Sequence, residues 1–251
     1  MKFAVALLPL AFSTVCLASE PEIHRFYGYA YDLSSNHYLY TEVHEQRVDG
    51  DHWLGGTITY YAADGSLLGK KTLDFTNDPY VPVYRLDLVA HGYAEGISDN
   101  RDAVEMIKRP DAGKAEQKKR VDKNSHMAAD SGFHVFIRAH LQEILRGDKV
   151  PLTLAVAGEL DTFNFRIKRI GDTTFQGKPA ARLKVKLDSL LSLVADPLEL
   201  TYEPDTGTLL EYRGITNIHD PVTGNPYNAR IAYYSQPPPD APKPLPPFER
   251  P

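Results

Sequence analysis

Residues 132–147 read GFHVFIRAHLQEILRG. Phe133, Phe136, Ile137, His140, Leu141, Ile144 and Leu145 recur at helical spacing on one side, and Arg138, Gln142, Glu143 and Arg146 take the other. Asp130 or Ser131 stands where a helix start needs a cap, and Gly147 stands where a helix ends. The sequence on both sides of this stretch reads as strands and turns. A lone two-sided helix in such a chain must cover something apolar, and what it covers decides the fold.

The strand signal is alternation. In Ala181-Arg182-Leu183-Lys184-Val185-Lys186-Leu187 the apolar and cationic residues fall on opposite faces, as in a sheet with one dry side and one wet side. Phe163, Phe165 and Ile167 alternate in the same way with Thr162, Asn164 and Arg166. Further strands are expected near 24–32, 37–48, 52–62, 67–76, 82–90, 102–108, 150–157, 198–203, 208–217 and 228–235. Ala63-Asp64-Gly65-Ser66, Gly171-Asp172 and Asp205-Thr206-Gly207 supply turn chemistry between them. Tyr61-Ala62-Ala63-Asp64-Gly65 and Tyr202-Glu203-Pro204-Asp205-Thr206-Gly207 echo each other as strand end and turn. The expectation is a meander of hairpins on both sides of the helix. Fifteen tyrosines and ten phenylalanines among 251 residues suit such a sheet.

Three segments stand apart. Asp188 to Asp196, ahead of Pro197, reads as a short helix apolar on nearly every side, with Leu190, Leu191 and Val194 as its bulk. Residues 109–131 are polar and charge-dense around Lys118-Lys119-Arg120, and read as a mobile, partly helical excursion. The last sixteen residues, QPPPDAPKPLPPFERP, hold eight of the nineteen prolines and read as an extended tail at 236–251, serving as spacer, packing strap or ligand for a partner.

Residues 1–19, MKFAVALLPLAFSTVCLAS, have the form of an export signal. Lys2 precedes an apolar run too short to span a bilayer, and Cys16-Leu17-Ala18 puts small residues where a signal peptidase reads. A lipid anchor on Cys16 would need a small apolar lead-in, which Ser13-Thr14-Val15 does not supply. Cleavage after Ala18 or Ser19 would remove the only cysteine, leaving no disulfide, thiolate metal site or cysteine nucleophile. Without Lys2, 27 of the 28 basic residues remain against 33 acidic ones, a formal charge of −6. That balance speaks against a nucleic-acid footprint. After the leader, no stretch reaches the length of an apolar transmembrane span. Residues 20–235 are expected to form one domain.

The long antiparallel meander, the central helix, and strands ending in YEPDTGTLLEYRGITNIHD resemble the open β-barrel carriers of bacterial lipoproteins, the LolA-like group, and exported proteins near it. The resemblance is carried by Gly132-Phe133-His134-Val135-Phe136, Leu198-Glu199-Leu200-Thr201-Tyr202, Leu209-Leu210-Glu211-Tyr212 and Gly214-Ile215-Thr216-Asn217-Ile218. It implies an incomplete barrel and a periplasmic location. No functional residue is transferred with it.

The search for chemistry gives little. Gly50-Asp51-His52-Trp53 misses the lipocalin Gly-x-Trp by one residue. Ser98-Asp99-Asn100 spells a β-lactamase element without the Ser-x-x-Lys that should precede it, and Lys70-Lys71-Thr72 lies on the wrong side of it; the triplet reads as a turn. There is no Gly-x-Ser-x-Gly, phosphate loop or His-Glu-x-x-His. His134 and His140 point to different sides of the helix, and His37 and His44 to opposite faces of one strand. Tyr38, Tyr40, Glu42 and His44 share a strand face, so Glu42 could orient His44 as a base in a hydrolase or isomerase. No third metal ligand accompanies them.

The expected function is therefore non-enzymatic, with no cofactor and no metal. A lipid or lipoprotein acyl chain would lie between the curved sheet and the helix, stabilised by about 0.8 kcal/mol per buried methylene. Its expected lining is Phe133, Phe136, Ile137, Leu141, Leu190, Leu191 and Val194, facing Phe163, Phe165, Leu183 and Val185. The alternative is a structural or adaptor protein with a solid core, meeting an envelope partner through the proline-rich tail.

Overall fold

A computed structural model describes residues 21–50, 52–188, 197–243 and 245. Among these, fifteen strands form one sheet. The first eight are β1 Glu22–Asp32, β2 Tyr38–Asp49, β3 His52–Ala62, β4 Leu67–Asp74, β5 Val83–Leu88, β6 Ala94–Asp99, β7 Ala103–Arg109 and β8 Gln117–Asp122. After β9 Met127–Ala129 comes helix α1 Gly132–Arg146, then β10 Val150–Val156 and a 3-10 turn at Ala157–Glu159. The remaining strands are β11 Asp161–Phe175, β12 Lys178–Leu187, β13 Leu198–Tyr202, β14 Leu209–His219 and β15 Pro226–Ala232.

The strands run β8-β7-β6-β5-β4-β3-β2-β1-β15-β14-β13-β12-β11-β10-β9 across the sheet. Two meanders are thus joined where β1 pairs antiparallel with β15, Tyr29 opposite Ala232. All pairings are antiparallel except β9 with β10. A sheet this wide must curl, because each strand pair adds twist. It curls until its two ends meet without pairing. The 3-10 turn after β10 rests on β6 and β7, and Lys119 of β8 reaches Asp161 of β11 at 2.8 Å. The result is an incomplete barrel whose seam is closed by side chains and a turn.

Helix α1 forms as the sequence predicts. Ser131 stands at its N-cap without a side-chain cap bond, and Gly147 ends it in the left-handed region (φ 103°), where glycine carries no Cβ penalty. The apolar row faces inward. Phe136, Ile137, Leu141 and Ile144 pack in one cluster with Leu152, Ile167, Leu183, Val185, Leu200 and Tyr202. A larger cluster fills the barrel between β2–β7 and β14–β15. A third lies on the outer face of β1 and β2, where Tyr27, Tyr29, Tyr31 and Val43 are covered by Tyr234, Ala241 and Leu245. The proline-rich segment, as far as it is described, is a strap over this tyrosine patch.

Several expectations need correction. Segment 109–131 is not a helical excursion. It carries β8, paired along β7 from Ala103–Asp122 to Lys108–Gln117, and β9. Ser98 and Asp99 lie in strand β6 and not in a turn, and Asn100 is buried with its amide donating to Val81 O at 2.6 Å. Gly171-Asp172 is a bulge within β11, where the register shifts between Arg169 and Gly171 and the strand continues to Phe175. The short helix expected at 188–196 lies, apart from Asp188, outside the described residues, as do the export signal and Cys16.

Candidate functional site

Inward-facing rows place the expected lining residues. Phe136, Ile137, Leu141, Leu183 and Val185 are buried and pack directly on one another in the helix cluster. Phe133 and Phe165 sit half-buried at its rim. Phe163, also half-buried, is opposite Leu154 on β10. Leu190, Leu191 and Val194 lie outside the described residues. The structure therefore brings the helix row and the β12 row into contact in one cluster.

The open space is on the other flank of α1. A cleft of about 420 Å³ runs between the helix and two loops, floored by Tyr80, Val135, Ala139, Leu141 and Pro204, with Arg138 and His52 among its polar walls. Leu141 belongs both to this floor and to the cluster beneath the helix. The lining of the cleft is mixed: His52, Arg138, Gln142, Asp205 and Thr206 stand beside the apolar residues, and the cleft is open to solvent. The signal for it in the sequence is slight, because half its wall comes from loops 79–80 and 204–207.

The Glu42–His44 pair forms as expected. His44 Nε2 lies 2.9 Å from Glu42 Oε2, with both side chains under 10% exposed. Phe26 stacks on the imidazole at 4.4 Å, and the Tyr233 hydroxyl donates to Glu42 Oε2 at 3.3 Å. Gly28 of β1 lies directly opposite Glu42, so close that a Cβ there would come 2.8 Å from Glu42 Oε2. The pair is buried among these neighbours.

Further polar residues lie inside the barrel that strand alternation alone would place there. Lys71 shares the inward row of Gly69 and Leu73, and Glu95 shares that of Tyr93 and Ile97. Lys71 Nζ meets Asp130 Oδ2 at 2.5 Å. Asn217 donates its amide to that same oxygen at 2.9 Å and to Glu95 Oε1 at 3.4 Å. The Tyr93 hydroxyl donates to Glu95 Oε2 at 2.6 Å. Burial raises the Glu95 carboxyl above the usual carboxylate range, with Tyr93 and the Lys71 charge pulling it down and Asp130 adding to the rise. On α1, His134 stacks on Tyr202 and its Nδ1 lies 2.9 Å from the Tyr202 hydroxyl. Burial pushes this imidazole down to about 3, helped by the charges of Arg138 and His44. Among the described residues, no three His, Cys, Asp or Glu side chains are grouped to hold a metal, and no helix is long and apolar enough to cross a membrane.

Among the described residues the fold is mainly β, one unclosed curved sheet with one α-helix. No protein-family model matches the chain, and no curated protein matches it in sequence. Among solved structures it is similar to a beta-barrel-like protein of the domain of unknown function DUF1849 from Brucella abortus, with 8% identity over 85% of this chain and 95% of that one and a TM-score of 0.47.

Proposed function

We propose that this chain is a non-enzymatic protein of the bacterial cell envelope, exported to the periplasm, that binds one amphiphilic ligand beside helix α1. The ligand class is a lipid or the acyl chain of a lipoprotein, in the manner of the LolA-like carriers its sequence pattern resembles. The observation that carries this reading is the cleft of about 420 Å³ with its floor of Tyr80, Val135, Ala139, Leu141 and Pro204. An acyl segment laid there would gain about 0.8 kcal/mol per buried methylene, and Arg138 would meet an anionic head. The packed interface beneath α1 favours the outer flank over the space between helix and sheet.

The test is displacement of a fluorescent fatty acid from the purified protein. Ala139 is exposed on the helix and lines the cleft, so Ala139→Trp should fill the site and weaken binding at least tenfold without unfolding the chain. Equal binding by wild type and A139W would remove the cleft from the proposal.

A second reading rests on a separate observation. The solid helix cluster and the strapped tyrosine face are what a structural or adaptor protein would need. A protein that binds no acyl probe at all supports this reading instead.

A further inference from the structure

We propose that Lys71 and Asp130 become joined by an intramolecular amide bond, formed autocatalytically with Glu95 as the proton-transferring acid, which locks the start of helix α1 to strand β4. The inference is independent of ligand binding.

The observations are geometric. Lys71 Nζ and Asp130 Oδ2 are 2.5 Å apart, and their side chains are only 4% and 6% exposed. The Tyr84 ring lies 5.6 Å from Lys71 Nζ. Ser131 donates from N and Oγ to Asp130 Oδ1 at 2.7 and 2.8 Å, which orients the carboxyl plane. Asn217 holds Oδ2 and Glu95 Oε1 together from β14. Glu95 lies on the same inward row two strands from Lys71, through Leu86. The 3-10 turn seals Glu95 from above, because Gly158 presses so close that any Cβ there would collide with its carboxylate. An amine, a carboxyl to receive it and a second, shielded carboxyl thus converge in one buried compartment.

An ordinary buried ion pair is an expensive use of this site. Removing an ammonium and a carboxylate from water costs several kcal/mol per ion, and apolar replacements are often neutral or stabilising. Amide formation removes both charges. The proton count closes within the cluster. The Lys71 ammonium gives one proton to the Asp130 carboxylate across the short contact, leaving a neutral amine beside a neutral acid. The amine lone pair attacks Asp130 Cγ, forming the C–N bond. In its neutral form, which burial favours, Glu95 gives its proton to the departing oxygen and takes one back from nitrogen. The C–O bond breaks and one water leaves. No oxidant, metal or cofactor is consumed. The product bridges positions 59 residues apart, in a chain whose only cysteine, Cys16, belongs to the segment read as its leader.

The experiment is tryptic peptide mapping of the purified full chain by tandem mass spectrometry. The bond predicts a branched species joining Lys71–Arg85 to Asn124–Arg138, lighter than the two peptides by one water and uncleaved after Lys71. Glu95→Gln should yield the two linear peptides instead. If the wild-type chain gives only the linear peptides, with cleavage after Lys71, the pair is an ion pair and the proposal is wrong. If E95Q still gives the branched species, Glu95 has no part in forming it.

Discussion

The Tyr31 hydroxyl donates to Asp240 Oδ1 at 3.2 Å, tying the first strand of the sequence, central in the sheet, to the proline-rich segment 209 residues later. Arg230 also lies over the Tyr31 ring at 4.5 Å. The segment behaves as a strap because proline cannot join a sheet interior yet keeps an extended shape at low entropic cost. Ending the chain after Ser235 should bare the patch of Tyr27, Tyr29 and Tyr31, lower Tm and promote self-association. Asp240→Ala alone should cost about 1 kcal/mol, read by urea denaturation. A truncated chain with unchanged Tm and sedimentation would show that the strap contributes nothing.

Gly28 marks where two inward rows touch. Its missing Cβ would sit 2.8 Å from Glu42 Oε2 and 2.9 Å from the Tyr233 ring. Gly28→Ala should therefore destabilise the fold by about 1–3 kcal/mol through overpacking. An unchanged denaturation midpoint would mean the Glu42–His44 compartment has slack.

The buried tyrosines set an alkaline limit. Burial raises the Tyr40, Tyr60 and Tyr84 phenols well above the ordinary value of 10. The unfolded chain loses those protons near pH 10 while the folded chain keeps them. Stability is then fully present below pH 10 and declines above it, by about 1.4 kcal/mol per pH unit for each such group. His134 acts at the other end. Its folded value of about 3 lies below the unfolded 6.5, so its contribution is present above pH 6.5 and is lost as pH falls toward 3. Melting temperatures across this range should form a plateau with both shoulders, and His134→Gln should flatten the acid one.

Strand β8 is a free edge of the sheet. Its Lys118, Lys119 and Arg120 are exposed, with Lys118 held to Glu105 at 2.9 Å. Charges on an edge discourage pairing with a second chain. Replacing Lys118 and Arg120 with threonine, and keeping the seam contact of Lys119 with Asp161, should raise self-association, seen by sedimentation, while leaving the far-ultraviolet spectrum intact.

The helix and most strands were legible because their periodicity matches the burial it produces. Leu183 and Val185 on β12 point inward as the alternation implies. Strand β8 escaped because five of its six side chains are exposed, which leaves no alternation to read. Strand β6 escaped because Gly96, Ser98 and Asp99 carry turn chemistry, while its pairing comes from β5 and β7. The Lys71–Asp130–Glu95 cluster was hidden by the expectation that charges face water. Strand parity contained the contrary signal, since Lys71 falls in step with Gly69 and Leu73. The cleft was invisible because distant loops complete it.

The central functional claim is that an acyl chain lies on the outer flank of α1. Photo-crosslinking with a diazirine-bearing fatty acid, followed by peptide mapping, tests it most directly. The predicted labels fall on Tyr80 and on Val135, Ala139 and Leu141. Labels confined to Phe163 and Phe165, or no label above background, would contradict it.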